Sequence, residues 1–172
     1  MRTPTSLEGN SRRELLILDT GPIRELVGFH AVDRFGFERL RSKLRFISNP
    51  ESYRTCTQFI ASFRRKTTSA SVVAELYRWI SETDRKGQAR LWNRVYEDFQ
   101  NMGMDEEVVR LVEMDLGLVV TFGPVDVSLL ELARRHADLK PLLLTIDSEL
   151  YGEFRKAGLH VSLVQEVTLM QR

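Results

Sequence analysis

Two short runs constrain this chain more than any other feature. Leu15-Leu16-Ile17-Leu18 and Leu142-Leu143-Leu144-Thr145 are apolar almost without interruption, and each leads into an aspartate, Asp19 or Asp147. Runs this short, with no polar residue at alternate positions, read as strands covered on both faces, the pattern of a parallel sheet. His160 to Val164 gives a third strand. Helical periodicity fills the intervals, so the expectation is an α/β protein with a mainly parallel sheet. Sites in such sheets form at the carboxyl ends of the strands, where Asp19 and Asp147 stand.

The length of 172 residues fits one domain, and a hydrophobic share of 42% with 28% charged residues excludes a disordered or collagen-like chain. Residues 1–13 are polar and are expected to form a flexible N-terminal tail, with residues 14–172 as the single folded domain. No apolar run approaches the ~20 residues that span a bilayer. Met1 to Arg13 also lacks the apolar core of a signal peptide. A lone cysteine, Cys56, excludes an internal disulfide framework and a cysteine-rich zinc site. The expectation is a cytoplasmic protein with no membrane partner.

Gly21-Pro22 turns the chain into a helix. Phe37, Leu40, Leu44 and Ile47 share a helical stripe that Asn49-Pro50 stops, and Phe59, Ile60 and Phe63 mark a further short helix. Helices follow over 71–83, around Leu91 to Phe99, and over 105–116 with Gly117 as its cap. Leu118-Val119-Val120 reads as a short strand, 126–136 as a helix and 148–157 as a helix ended by Gly158.

Charge is unevenly placed. Between His30 and Ala70 nine cations face three carboxylates, whereas between Glu97 and Glu131 nine carboxylates face Arg110 alone. A basic segment beside an acidic one suggests a polyanion-binding face plus chemistry that needs carboxylates, although amphipathic helices also carry charged outer faces. Six of the nine phenylalanines fall between Phe29 and Phe63, so the basic stretch is folded rather than a loose arm.

Asp19 and Asp147 could each simply cap the helix that follows. Glu75 and Asp126 are stronger signals. Glu75 shares a helical face with Val72 and Trp79, and Asp126 lies over Leu129, Leu130 and Ala133. A carboxylate turned towards a core is costly unless paired, hydrogen-bonded or metal-bound. The plain alternatives are a buried ion pair for Glu75 and an N-cap for Asp126. Taken together, four such acids with no cysteine or paired histidine suit a hard divalent cation, Mg2+ or Mn2+. Ions in such a site could activate water against a phosphodiester.

LLILDTGPIREL, SVVAEL, PVDVSLLELARRH and LLLTIDSEL followed by AGLHV, in that order, resemble the PIN-domain family of metal-dependent nucleases. The resemblance spans nearly all of the chain after the tail. It implies a PIN-like three-layer α/β/α sandwich in which a first-strand Asp, a helical Glu, a second helical Asp and a late-strand Asp converge. These map onto Asp19, Glu75, Asp126 and Asp147 as catalytic and metal-holding residues, with Thr20, Thr145 and Glu149 in support. The implied activity is endoribonuclease with Mg2+ or Mn2+ as cofactor. The implied partners are RNA, a second copy in a homodimer, and an antitoxin protein if the chain is the toxin of a toxin–antitoxin pair. Arg39, Arg41, Lys43, Arg45, Arg64, Arg65 and Lys66 are the candidate RNA contacts. Two features depart from the family pattern. Gly21 stands where many members carry Asn, and the long interval from Asp19 to Glu75 reads as a basic helical insertion around residues 30–70.

Other classes fit less well. The first motif is similar to that of haloacid-dehalogenase phosphatases, but Gly21 occupies the place of their second Asp. A receiver domain would need paired acids in the opening run, and no phosphate-binding P-loop occurs. No elbow motif supports Ser-His-Asp chemistry, and His30, His136 and His160 read as surface or packing residues. The serious alternative is a PIN fold that no longer cuts and serves as an RNA- or protein-binding module. Retention of all four acids argues against it.

Overall fold

The computed structural model describes residues 14–83 and 88–169. The expected N-terminal tail, 1–13, lies outside the described residues. Strand β1 (Leu15–Leu18) leads into α1 (Thr20–Phe35) and the short α2 (Glu38–Arg41). Then come α3 (Pro50–Ala61), β2 (Arg65–Ser69), α4 (Ala70–Thr83) and α5 (Gln88–Met102). The second half holds β3 (Met104–Glu107), α6 (Leu116–Phe122), α7 (Pro124–Arg135), β4 (Leu142–Thr145), α8 (Ser148–Lys156), β5 (His160–Leu163) and α9 (Val164–Leu169). Among these residues the five strands form one parallel sheet in the order β3-β2-β1-β4-β5, flanked by helices as a three-layer α/β/α sandwich. The expected α/β class and parallel sheet are therefore observed.

This order places the chemistry. From β1 the chain moves outward through β2 to β3, then returns to lay β4 against the other side of β1. The reversal leaves a crevice at the carboxyl ends of β1 and β4, where the flanking connections diverge. Ile17 is in register with Leu143 and Leu18 with Leu144, so Asp19 and Asp147 emerge from the same edge. Both strands are wholly buried, as their unbroken apolar runs require.

Several elements differ from the expectation that periodicity gives, each for a physical reason. Asn49-Pro50 starts a helix instead of stopping one. Asn49 accepts from the Ser52 N–H at 2.9 Å in a reciprocal capping box, and Pro50 takes the first helical position, where it needs no donor. The stripe from Phe37 to Ile47 forms only the four-residue α2. Beyond it the backbone N–H groups of Arg45, Phe46 and Ile47 all point at the buried Glu25 carboxylate, at 2.9–3.2 Å, and this clamp holds an irregular loop.

The stretch around 30–70 is thus not a uniformly helical insertion, since it ends in β2, an interior strand. β2 escaped notice because RKTTS is polar. Its hydroxyls are satisfied inside the fold: Thr68 Oγ1 donates to the Leu18 carbonyl at 2.7 Å, and Ser69 pairs with Ser128 at 2.7 Å.

The expected helix over 105–116 is instead edge strand β3 followed by a 3-10 turn at Leu111–Glu113. Backbone pairing with β2 outweighs the helix-like spacing. The expected strand at Leu118-Val119-Val120 lies inside α6, because Asp115 caps that helix by accepting from the Gly117 and Leu118 N–H groups. α9 was not foreseen either.

Candidate active site

Asp19 ends β1 and caps α1. Its Oδ1 accepts from the Thr20 N–H at 2.6 Å, and its Oδ2 accepts from Thr145 Oγ1 at 2.7 Å. Thr145 Oγ1 in turn accepts from the Asp147 N–H at 2.9 Å, so one hydroxyl ties both strand-end aspartates together. Asp147 caps α8 through the N–H groups of Glu149 and Leu150. The cap readings are therefore right for both residues, and capping uses only Oδ1 of Asp147. Glu75, half-buried on α4, accepts from Thr20 Oγ1 at 2.5 Å rather than from a buried cation. Thr20 thus reaches Asp19 with its backbone and Glu75 with its side chain.

Asp126 is not an N-cap. Gly123, at φ +90°, holds that position, and Asp126 sits in the first turn of α7 with no hydrogen bond among the described residues. Beside it α6, α7 and α8 enclose an apolar cavity of about 250 Å3, with Phe122, Leu130 and Phe154 in its walls. The cations at that cavity, Arg134 and Lys156, are paired to Glu131 and Glu153.

The electrostatics join the four acids. Burial pushes Asp19 up from 3.8 to about 6, against the pull of its Thr145 and Thr20 hydrogen bonds, and the Glu75 and Asp147 charges add to the rise. Burial pushes Asp126 up from 3.8 to about 7, and the charges acting on it next are Asp19, Asp147, Glu75 and Glu149, all carboxylates. The charges of four other acids, Glu149 among them, thus meet at Asp126.

A direct consequence is a pH-dependent stability. The folded, metal-free chain holds protons on Asp19 and Asp126 that the unfolded chain releases near its ordinary carboxyl range. Their contribution to stability should therefore be fullest below about pH 4 and decline as pH rises through 6 and 7, whereas the lowered Glu107 and Glu113 lose theirs only at more acid pH. His30, which burial holds below its ordinary 6.5, works in the opposite sense over part of this window. Denaturant titrations in chelator at pH 5 and pH 8 should show the wild type less stable at pH 8, and Asp126→Asn should flatten the decline.

The donor set can be tested against Mg2+ or Mn2+. As placed, no three carboxylate, imidazole or thiol groups among the described residues are close enough to hold one ion together. A hard divalent ion needs only one or two carboxylates, with water and substrate oxygens completing its shell. Asp126 and the free Oδ2 of Asp147 are unengaged oxygens in an uncompensated acidic field, so the chemistry of the set fits such an ion.

The candidate RNA contacts divide. Lys43 and Arg45 line a cleft of about 600 Å3 that reaches Gly21 and Ile146, the neighbours of Thr20 and Asp147. Arg41 is exposed and ion-paired with Glu38 at 2.7 Å. The side chain of Arg39 lies outside the described part. Arg64 precedes β2 and Arg65-Lys66 begin it, which puts them at the end of the sheet opposite the carboxylates. The acidic segment divides too: Glu107, Glu113 and Glu131 are held by Arg135, His136, Arg110 and Arg134, and of the whole run Asp126 joins the site.

Gly21 is explained by contact. A Cβ there would lie 2.3 Å from Ile146 Cγ1, so α1 can start this close to the β4–α8 turn only with glycine. Arg24 and Trp79, which also line the cleft, are residues the sequence reading missed as site candidates. Trp79 was assigned to the core stripe, and nothing in its spacing marks it otherwise. No family model and no curated protein matches this chain. Among the described residues no helix is long and apolar enough to cross a membrane.

Proposed function

We propose that this protein is a PIN-like, Mg2+- or Mn2+-dependent endoribonuclease. The observation that carries the reading is the shared acidic edge, where the hydroxyls of Thr20 and Thr145 hold Glu75 and Asp19, Thr145 also receives the Asp147 N–H, and Asp126, raised first by burial, stands in the field of the other carboxylates. Asp126 and Asp147 would hold the ion, with Asp19 and Glu75 held ready beside them. The ion, when bound, supplies Lewis-acid activation of water against a phosphodiester and offsets the carboxylates' mutual repulsion. The chain's own part is to fix the acids in place: Thr145 spans two strand ends, and Thr20 couples α1 to α4. Lys43 and Arg45 lie where they can hold a phosphate next to that edge.

A binding module without catalysis is the second reading, and the basic cleft would serve it equally. A second copy of this chain is the protein partner we favour over an antitoxin. Its support is the run of exposed apolar side chains Val108, Leu111, Val112, Leu116 and Val120.

Thermal melts separate catalytic from silent forms of the site. Added Mg2+ should raise the wild-type melting temperature by mass action, and should do so much less for Asp147→Asn, which should also lose cleavage. Because Asn caps a helix nearly as well as Asp, the substitution should leave metal-free stability little changed or higher. An active Asp147→Asn protein with an unchanged Mg2+ response would refute the four-acid site.

A further inference from the structure

We propose that the cleft beside the carboxylates is a subsite for one unstacked nucleotide of a single-stranded RNA, with Lys43 and Arg45 on its phosphate and the Arg24–Trp79 pair under its base. This deepens the nuclease reading and rests on it for the identity of the strand.

Four observations converge. First, position: the cleft ends at the packed pair Gly21 and Ile146, the chain neighbours of Thr20 and Asp147, so a strand crossing the acidic edge can enter it there. Second, size: at about 600 Å3 it falls among ordinary small-ligand pockets, roughly 300–1,000 Å3. Third, charge: among the described residues Arg24, Lys43 and Arg45 have no carboxylate partner. The acids at the cleft are engaged elsewhere, Glu82 with Arg78 at 3.2 Å and Glu25 with the backbone of residues 45–47. Unpaired cations around a concavity next to a carboxylate edge are suited to a phosphate whose neighbouring linkage lies over that edge.

Fourth, the platform: the Arg24 guanidinium lies over the Trp79 ring, 5.2 Å from its centroid. The buried Trp79 Nε1 has no hydrogen-bond partner among the described residues. A guanidinium over an indole gives a base an aromatic and cationic surface to lie against, and a base can use it only when it is not stacked in a duplex. The two walls are rigidly joined, because the Glu25 clamp fixes the cationic loop to α1, the helix that starts at the carboxylate edge. Glu25 is accordingly a positioning residue for Lys43 and Arg45.

The test uses the full chain in chelator, where RNA stays intact. A labelled eight-nucleotide single strand and a hairpin of equal charge are titrated by anisotropy, with poly-glutamate as an acidic competitor. The wild type should prefer the single strand. Lys43→Ala/Arg45→Ala should weaken binding more than about tenfold and flatten its salt dependence. Arg24→Gln should weaken it about fivefold or more, in line with the loss of a stacking contact. In a Trp92→Phe background Trp79 is the sole indole, and its emission should be quenched as the strand binds; this arm requires no substitution in the cleft.

Equal affinity for the hairpin, effective competition by poly-glutamate, or binding without change in Trp79 emission would each overturn the proposal. Cleavage on adding Mg2+ with KM unmoved by the cleft variants would overturn the subsite and leave the nuclease intact. Cleft-dependent binding and quenching without any cleavage would sustain the subsite and overturn the nuclease.

Discussion

Asp19→Asn is expected to lose RNA cleavage while gaining stability in metal-free buffer at pH 8. Asp19 is buried between a hydroxyl and a backbone N–H, facing two further carboxylates, and it carries its proton up to about pH 6. At pH 8 the folded chain must keep it ionised, at a cost of about 3 kcal/mol relative to a carboxyl in water. Asparagine removes that cost. It also forfeits part of the hydrogen bonding, since its single oxygen cannot accept from both Thr20 N–H and Thr145 Oγ1. That loss is about 1 kcal/mol, so a net gain of about 1–2 kcal/mol remains.

Below pH 4, where Asp19 is protonated in both states, the gain should disappear. Activity should drop by more than about a hundredfold, beyond the loss typical of a residue that only supports a metal ligand. Urea melts at pH 4 and pH 8 beside a cleavage assay read both effects. Lower stability of the variant at pH 8 would mean that the acidic edge is a structural ion network rather than a site held under repulsion.

Glu25→Ala is expected to give the largest loss of stability. The Glu25 carboxylate is 4% exposed and accepts from three consecutive backbone N–H groups. Removing it strands those donors next to buried Ile47, and each unsatisfied buried donor costs about 1–3 kcal/mol. Residues 45 and 46 can turn partly to water, so the expected loss is about 3 kcal/mol rather than the full sum. Glu25→Gln keeps an oxygen at the Oε2 position, which serves all three donors, and should lose about 1 kcal/mol. Denaturant melts of the two variants check the ranking. A Glu25→Ala protein within 0.5 kcal/mol of wild type, the usual range for a surface change, would contradict the clamp.

These residues also show what the sequence discloses and what it conceals. β1 and β4 were legible because strands covered on both faces must be apolar throughout, and the carboxyl-end rule then placed Asp19 and Asp147 in one crevice. Glu75 and Asp126 were legible because a carboxylate on an apolar helical face is out of place. β2 was hidden by RKTTS, whose hydroxyls find partners only once Leu18, Asp105 and Ser128 are folded around them. Asn49-Pro50 carries two meanings because the same dipeptide ends one helix or begins another, and the capping box from Asn49 to Ser52 decides between them. Asp147 is the helix cap that one of its two readings expected, through Oδ1, and its Oδ2 is left for the proposed metal. The basic residues were legible as a stretch but not as a surface, since periodicity does not say that Lys43 and Arg45 line the cleft reaching Gly21 and Ile146 while Arg64, Arg65 and Lys66 lie at the other end of the sheet. Arg24 and Trp79 gave no signal at all, because an arginine and a tryptophan five and four residues from two acids look like ordinary helix surface and core.

The proposed activity is the cutting of RNA at the acidic edge with a divalent ion. It is tested most directly by following a labelled single-stranded RNA with pure wild-type protein and with Asp19→Asn, each in Mg2+ and in excess chelator. Cleavage is expected from the wild type in Mg2+ and in none of the other three reactions. Cleavage that persists in chelator, or that Asp19→Asn performs as well as the wild type, would contradict it.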